Sequence, residues 1–304
     1  MSFQLIRVPY LELFDLVEEP YSASPNPRYL YVSATHNLAL EKTKWTIAAK
    51  KGLALVFGPV GTGKTTLARE LAQRIEDDPD VSYVFITNPS FPTSNQLLRA
   101  IIQEFEVPQT SKSYLDLLNI FKQFLMTEAG EHGKTLVLII DEAQTLTPPL
   151  LELLRQLMNY ESNDQKFLQI VLFAQEEFRT RLQHPRFRNL LSRTVMSSTL
   201  DNLSLQETIA MLRHRWLIAG GKEFPFTNDA LDRLYAHSQG IPRTQVVLAD
   251  NALLAAYLAD TKTIDGTMIE RVVADRGLSD TDVAPLPPIK KRTRGAITTI
   301  RRKG

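Results

Sequence analysis

Gly58-Pro-Val-Gly-Thr-Gly-Lys-Thr65 is a complete G-x-x-x-x-G-K-[ST] pattern. Glycines at Gly58, Gly61 and Gly63 let a backbone curl so that its amides face inward as an anion cradle, with Pro59, Val60 and Thr62 between them. A helix opening near Lys64 directs its positive end at the same anion. In such a loop Lys64 reaches the β- and γ-phosphates of a nucleotide, and the Thr65 hydroxyl ligates Mg²⁺. Thr66 completes the cofactor-binding set. The pattern follows a predicted strand, Leu53–Phe57, and opens a predicted helix, which is the setting its chemistry needs. ATP and Mg²⁺ are therefore the expected cofactors.

A second signal is Leu136-Val-Leu-Ile-Ile-Asp141-Glu142-Ala-Gln144, 77 positions after Lys64 counted to Asp141. An acidic pair at the carboxyl end of a buried strand stands on the ligand-binding edge of a parallel sheet. Asp141 is expected to hold Mg²⁺ through water, and Glu142 to orient and deprotonate the water that attacks a γ-phosphate. Gln175, after the run Phe167–Phe173, is a candidate γ-phosphate sensor or a surface glutamine capping a turn. Arg193, just before the last predicted strand, stands where ring and filament ATPases carry an arginine that reaches the neighbouring subunit's γ-phosphate. Its competing reading is a local salt bridge, worth under about 1 kcal/mol if exposed, and Arg186 and Arg188 compete for the same role. Arg243, in Gly240-Ile-Pro-Arg243, opens a helix and is placed to read the nucleotide in cis.

The elements that must position these residues follow from hydrophobic spacing. Predicted strands are Leu53–Phe57, Tyr83–Ile86, Thr135–Ile140, Phe167–Phe173 and Thr194–Leu200. Between them lie helices over Lys64–Ile75, Ser94–Phe105, Ser113–Ala129 (with Leu115, Leu118, Phe121 and Leu125 as one stripe) and Thr147–Asn159. Strands alternating with helices imply a parallel sheet with both faces covered. From Ser204 the strand signal stops, and Ser204–Ala219, Thr227–Ser238, Pro242–Asp260 and Thr267–Arg276 read as helices. The fold class is thus α/β: a P-loop core with a parallel sheet flanked by helices, then a small all-helical lid domain. The expected layout is an N-terminal segment over 1–50 contributing to the nucleotide pocket, the core over 51–203, the lid over 204–277, and a Pro-containing linker with a basic tail over 278–304.

Composition narrows the function class. The 304 residues are 43% hydrophobic and 23% charged, ordinary for a globular protein, and hold no cysteine. Thiol catalysis, Cys-zinc sites and disulfides are excluded, which fits a reducing compartment. Met1 to Tyr10 shows no secretory leader, and no run approaches the ~20 apolar residues of a membrane span. A cytoplasmic location is expected. The five histidines show no metal-ligand spacing. Residues 290–304 carry seven basic side chains and no acidic one, so removing them from the formal +1 leaves −6 on the rest. Such a tail suggests an anionic partner or a merely solvated end.

These motifs, with Glu19-Pro-Tyr21, Asn26-Pro-Arg-Tyr-Leu-Tyr31, Ser33, His36, Ala39-Leu40, Glu207-Thr208, His214-Arg215, Ala219-Gly220 and Gly240-Ile-Pro-Arg243, resemble the AAA+ ATPases of the general secretion pathway A (ExeA/GspA-like) family over about residues 10–275. The resemblance implies that Arg28 to Tyr31 lie near the adenine, with Tyr31 a nucleotide contact, that Arg193 is the trans finger and that Arg243 is a second sensor. Two departures stand out. The family commonly reads Gly-Gln-Pro-x-Leu where this chain has Ala174-Gln-Glu-Glu-Phe178, which bears on Gln175. Secretion members continue into a transmembrane helix and a peptidoglycan-binding domain, whereas this sequence ends at Gly304. It is in this similar to stand-alone transposition regulators of the TnsC/TniB kind. That similarity implies a homo-oligomeric ring or filament, duplex DNA as a partner, and a transposase or target-selector protein met through the basic tail. Ser90 to Gln96 is a candidate DNA-contacting segment or an ordinary loop. The alternative reading is an ATPase of a secretion or pilus assembly system with no DNA role.

Overall fold

Five short strands pair side by side in the computed structural model, which describes residues 8–109 and 111–276. In chain order the elements are α1 (Tyr10–Leu13), α2 (Ala34–Ala48), β1 (Leu53–Phe57), α3 (Lys64–Glu76), β2 (Val81–Ile86), α4 (Ser94–Glu104) and α5 (Tyr114–Leu125). They continue with β3 (Thr135–Ile140), α6 (Pro148–Leu157), β4 (Leu168–Ala174), α7 (Glu176–Leu182), α8 (Arg188–Leu191) and β5 (Thr194–Thr199). Four helices follow: α9 (Leu205–Ile218), α10 (Asn228–Ser238), α11 (Pro242–Leu258) and α12 (Gly266–Asp275). The chain divides into two units, one of Ala23–His214 with Gln239–Thr244, the other of residues 8–22, Arg215–Ser238 and 245–276. The proposed tail over 278–304 lies outside the described residues.

The first unit holds a five-stranded, all-parallel sheet in the order β2-β3-β4-β1-β5. Side chains of successive strand residues point to opposite faces, so one sheet makes two cores. Leu53, Leu55, Leu136, Leu138, Ile140, Leu168, Ile170 and Leu172 pack with α4, α5 and α6 on one face. Val56, Val137, Ile139, Val171 and Phe173 pack with α2 and α3 on the other. The central strands β1, β3 and β4 are buried almost throughout, whereas the edge strands β2 and β5 keep polar positions that are partly exposed, as at Ser82 and Thr194, or exposed, as at Ser197. That contrast is what burial on two faces against an exposed edge requires.

The strands fall where the apolar runs place them, β2 starting earlier at Val81 and β4 shifted by one residue. One helix stripe differs. Leu115 is 70% exposed, and the buried line along α5 is Leu117, Phe121 and Leu125, flanked by the partly buried Tyr114, Leu118 and Phe124. The spacing of four from Leu117 keeps those residues on one face, and Leu115 falls outside it. The helix also ends sooner than Ala129, at Leu125, and runs on as a π-helical turn over Met126–Glu131. Helix α2 carries no clean stripe, because Leu38 and Trp45 face outward while His36, Thr43 and Thr46 are buried. Periodicity alone does not reveal such a helix.

In the second unit, α10 packs along α12, and Asp265 caps α12 by accepting from the Met268 N–H at 2.9 Å. Tyr10 donates its hydroxyl to Asp250 at 2.5 Å, fastening the N-terminal residues to α11. Phe14, Trp216 and Phe224 meet edge to face in turn, and Phe224 lies tilted against Phe226.

Gly240 joins the Gly-Ile-Pro-Arg turn to the sheet unit. Its φ is +75°, the Leu203 N–H donates to its carbonyl at 2.8 Å, and a Cβ there would stand 2.2 Å from the Leu203 carbonyl oxygen. Gly240→Ala must adopt left-handed backbone, at about 1–2 kcal/mol, and also displace a backbone atom. Its urea-unfolding midpoint should fall clearly below that of the wild type; an unchanged midpoint would contradict the packing described.

Candidate nucleotide site

Strand register brings the candidate residues to one edge. Phe57 pairs with Ala174 and Ile140 with Leu172, so the residues after β1, β4 and β3 emerge together at the carboxyl ends. Those residues are Gly58, Gln175 and Asp141. Because β4 lies between β1 and β3, Gln175 is flanked by the phosphate loop on one side and the acidic pair on the other. This is the edge at which parallel sheets bind ligands.

The loop is built by its glycines at two positions above all. Gly61 and Gly63 have φ of +85° and +97°, and a Cβ on Gly61 would stand 2.9 Å from Ile241 and 3.0 Å from Arg243. Lys64, only 5% exposed, turns back over the loop and donates from Nζ to the Gly58 and Pro59 carbonyls, both at 2.8 Å. The Thr62 hydroxyl donates to the Pro59 carbonyl at 2.9 Å. Thr65 donates its hydroxyl to Asp141 Oδ2 at 2.5 Å, and Asp141 Oδ1 accepts from the Glu142 N–H at 2.9 Å.

Burial works against the charge on both side chains at this edge. Burial holds the Lys64 ammonium below its usual pKa, opposed by the charges of Glu142, Asp141, Glu177 and Glu176. Burial pushes the Asp141 carboxyl up, opposed by the Thr65 hydroxyl and the Glu142 amide. A buried ammonium resting on carbonyl dipoles is stabilised by an incoming anion, and a desolvated carboxylate by an incoming cation. A magnesium–triphosphate complex supplies both, and an alcohol with a carboxylate is a hard-oxygen donor set suited to Mg²⁺. The first-turn amides of α3 add donors that the helix itself leaves unused. The residues present fit the cofactor.

Glu142 sits in left-handed backbone, φ +51°. Gln144 Nε2 donates to Glu142 Oε2, and Gln175 Nε2 addresses the same oxygen at 3.3 Å. Gln144 Oε1 accepts from the Gln175 N–H at 3.2 Å, closing a ring of amide contacts around the carboxylate. Arg181 supports that turn by donating to the Gln144 carbonyl at 2.8 Å and to the Leu146 carbonyl, its guanidinium lying over the Phe178 ring. Residue type and spacing alone do not reach Gln144 as a site residue: its place two residues after Glu142 is the available signal, but spacing does not say where an amide points.

The other candidates divide. The Arg243 N–H donates to the Gly61 carbonyl at 3.1 Å, so Arg243 abuts the phosphate loop. Arg193 stands before Thr194, which pairs with Leu53 at the opposite end of β1, and its Nη1 reaches the Met158 carbonyl at 3.4 Å. It takes no part in this chain's own phosphate site; Arg186 and Arg188 nearby are more exposed than Arg193. The Asn26–Tyr31 segment is capped by Asn26 and held to α3 by Arg69, which donates to the Pro25 carbonyl at 2.6 Å. Tyr31 meets His214 edge-on, with ring centroids 6.3 Å apart. Ser90 to Gln96 forms a loop and the first turn of α4, with Thr93 as its cap. Among the described residues no cluster of three or more His, Cys, Asp or Glu could hold a metal by itself, and no helix is long and apolar enough to cross a membrane.

Comparison with known proteins places part of the chain in a family. A family model of the AAA domain matches residues 47–182. General secretion pathway protein A of Aeromonas hydrophila is 39% identical over 249 residues, covering 82% of this chain and 45% of that protein. Residues 47–182 are thus an AAA domain. Among solved structures, Cdc6p from Pyrobaculum aerophilum superposes with a TM-score of 0.67 at 17% identity, covering 86% of this chain and 72% of the other. The ORC1 protein of Aeropyrum pernix, solved in complex with DNA, gives 0.61 at 16% identity, with 85% and 69% covered. At those identities the likeness is one of fold. The chain spans about half the length of its secretion-pathway relative.

The amide ring around Glu142 makes a prediction. Gln144→Ala should lower ATP turnover about 10- to 100-fold, less than the full 10²–10⁴ of a lost general base, and leave the nucleotide dissociation constant within twofold. Turnover at the wild-type rate would show that Gln144 does not hold the carboxylate.

Proposed function

We propose that this chain is an oligomeric switch that binds Mg·ATP and is reset by hydrolysing it. The observation that carries the reading is the meeting of Lys64, Thr65, Asp141 and Glu142 at the carboxyl edge of one sheet, with Thr65 and Asp141 in direct contact. Lys64 and the loop amides bind and orient the triphosphate, while Thr65 and Asp141 hold the metal. Bound Mg²⁺ supplies neutralisation of the charge that develops between the β- and γ-phosphoryl groups. Glu142 orients a water and takes its proton; Gln144 and Gln175 keep the carboxylate aimed. Arg243 reads the phosphates in cis. Arg193, remote from its own chain's site, serves as the finger supplied to a neighbouring copy, a contribution of about 10³–10⁵ in rate in enzymes that use one.

The finer reading is a DNA-binding regulator that links target selection to a transposase. Its support is the basic stretch over 290–304 and the shared fold with a protein solved on DNA. Lysines and arginines that neutralise phosphates release counterions, so such binding weakens steeply with salt. A second reading, a cytoplasmic ATPase of a secretion or assembly system with no DNA role, is favoured by the 39% identity to general secretion pathway protein A.

One experiment separates them. Glu142→Gln, which keeps the site's shape but removes the base, should bind ATP and accumulate as a stable assembly when sized by light scattering. On the first reading, duplex DNA enlarges that assembly and raising the salt abolishes the gain. Growth with ATP that is indifferent to DNA would favour the secretion-type role, and wild-type ATP turnover by Glu142→Gln would refute the catalytic assignment.

A further inference from the structure

One residue that touches the phosphate loop belongs to none of the motifs of nucleotide chemistry. His36, on the first turn of α2, is 2% exposed. Its Nε2 lies 2.9 Å from the Thr62 carbonyl oxygen and its Nδ1 2.6 Å from Ser33 Oγ. A carbonyl only accepts, so Nε2 carries the proton, and Nδ1 of the neutral ring accepts from the Ser33 hydroxyl. Burial, opposed by the Thr62 bond and the Glu207 charge, holds His36 below the usual histidine pKa, in keeping with that neutral ring. Ser33 is also the cap of α2, its Oγ accepting from the His36 N–H at 3.4 Å. Glu207, in the first turn of α9, accepts from the Ser204 N–H at 2.9 Å and hydroxyl at 2.8 Å, and from the Ala34 N–H. The starts of α2 and α9 and the phosphate loop therefore meet around one imidazole.

The Thr62 carbonyl is the point that matters. A trans peptide is planar, with C=O and the following N–H pointing in opposite directions. A Thr62 carbonyl held by His36 consequently turns the Gly63 N–H away from α2. Gly63 is the glycine on the far side of that peptide: its φ is +97°, and a Cβ there would lie 3.2 Å from His36 Nε2. A glycine peptide in such a loop flips readily unless something outside the loop fixes it. Burying an imidazole costs desolvation, and here the two bonds it makes both serve backbone geometry at the loop and the adjoining helix start.

We infer that His36 is a positioning residue of the phosphate loop, bracing the Thr62–Gly63 peptide so that the Gly63 amide is presented to the phosphates. The inference rests on reading the loop as the nucleotide site. It also makes α2 and α9 sensitive to the state of the loop through the Ser33–His36–Thr62 and Glu207–Ala34 contacts.

The test uses the full chain and three variants: His36→Ala, His36→Gln and Ser33→Ala. Gln at position 36 keeps an N–H donor for the Thr62 carbonyl. Two quantities are measured for each, the dissociation constant of a fluorescent ATP analogue and the amide exchange of residues 58–66 without nucleotide. His36→Ala should weaken binding at least tenfold and speed exchange in the loop, with the thermal midpoint and exchange elsewhere near wild type. His36→Gln should recover most of both. Binding within twofold of wild type with unchanged loop exchange would overturn the inference, as would a His36→Gln protein no better than His36→Ala. If His36→Ala does not fold, Ser33→Ala decides: faster loop exchange supports the brace, unchanged exchange refutes it. A wild-type chain that binds no nucleotide would refute the nucleotide reading, while the exchange comparison would still judge the brace.

Discussion

Two opposite charges held out of water at one edge of a parallel sheet set the terms for everything else in this chain. Lys64 is enclosed by its own loop and Asp141 is 1% exposed, and each is pushed by burial toward its neutral form. Charges in that condition are costly unless something completes them. The surrounding fold keeps them close and sequestered, which a stably folded chain tolerates when a ligand of both signs returns the lost solvation. A buried lysine and aspartate that paired fully with each other would leave little for a nucleotide to add. Here Lys64 rests on carbonyls and Asp141 on a hydroxyl and an amide.

That arrangement explains the order of the strands. Placing β4 between β1 and β3 puts a third strand end, and with it Gln175, between the loop and the acidic pair. The carboxylate of Glu142 is then reached by an amide from its own turn, Gln144, and one from the neighbouring strand. The two apolar cores make this geometry stiff. With α2 and α3 against one face and α4, α5 and α6 against the other, a shift of one strand would displace side chains on both. The same stiffness carries α2 into the site, because the helix that buries Leu40 and Ile47 also presents His36 to the loop.

Much of this was legible in the residues. Gly58 to Thr65 and Leu136 to Glu142 declare themselves because their chemistry demands particular residue types at fixed spacing, and the central strands because burial on two faces demands unbroken apolar runs. What escaped the sequence depends on direction rather than type. Leu115 looked as apolar as Leu117, and only the packing of α5 tells which faces the core. α2 was invisible to periodicity because Leu38 and Trp45 occupy its outer face. Gln144 stood in plain view beside Glu142, yet its amide's aim is set by Arg181 and Gln175 from another strand and helix. His36, one of five histidines without ligand spacing, gained its place from a contact 26 positions away. Grouping followed the same rule: residues 8–22 cluster with the helical unit and 23–50 with the sheet, a division that no composition shift announces.

The central claim is that Lys64, Thr65 and Asp141 form one compartment for a metal and its triphosphate. Calorimetric titration of ATP into the wild type and Asp141→Ala, each with Mg²⁺ and with a chelator, tests it most directly. The wild type should bind more tightly with Mg²⁺ than without, and Asp141→Ala should lose that gain while keeping its metal-free affinity. Equal affinities with and without the metal in the wild type, or a metal-dependent gain that survives in Asp141→Ala, would contradict it.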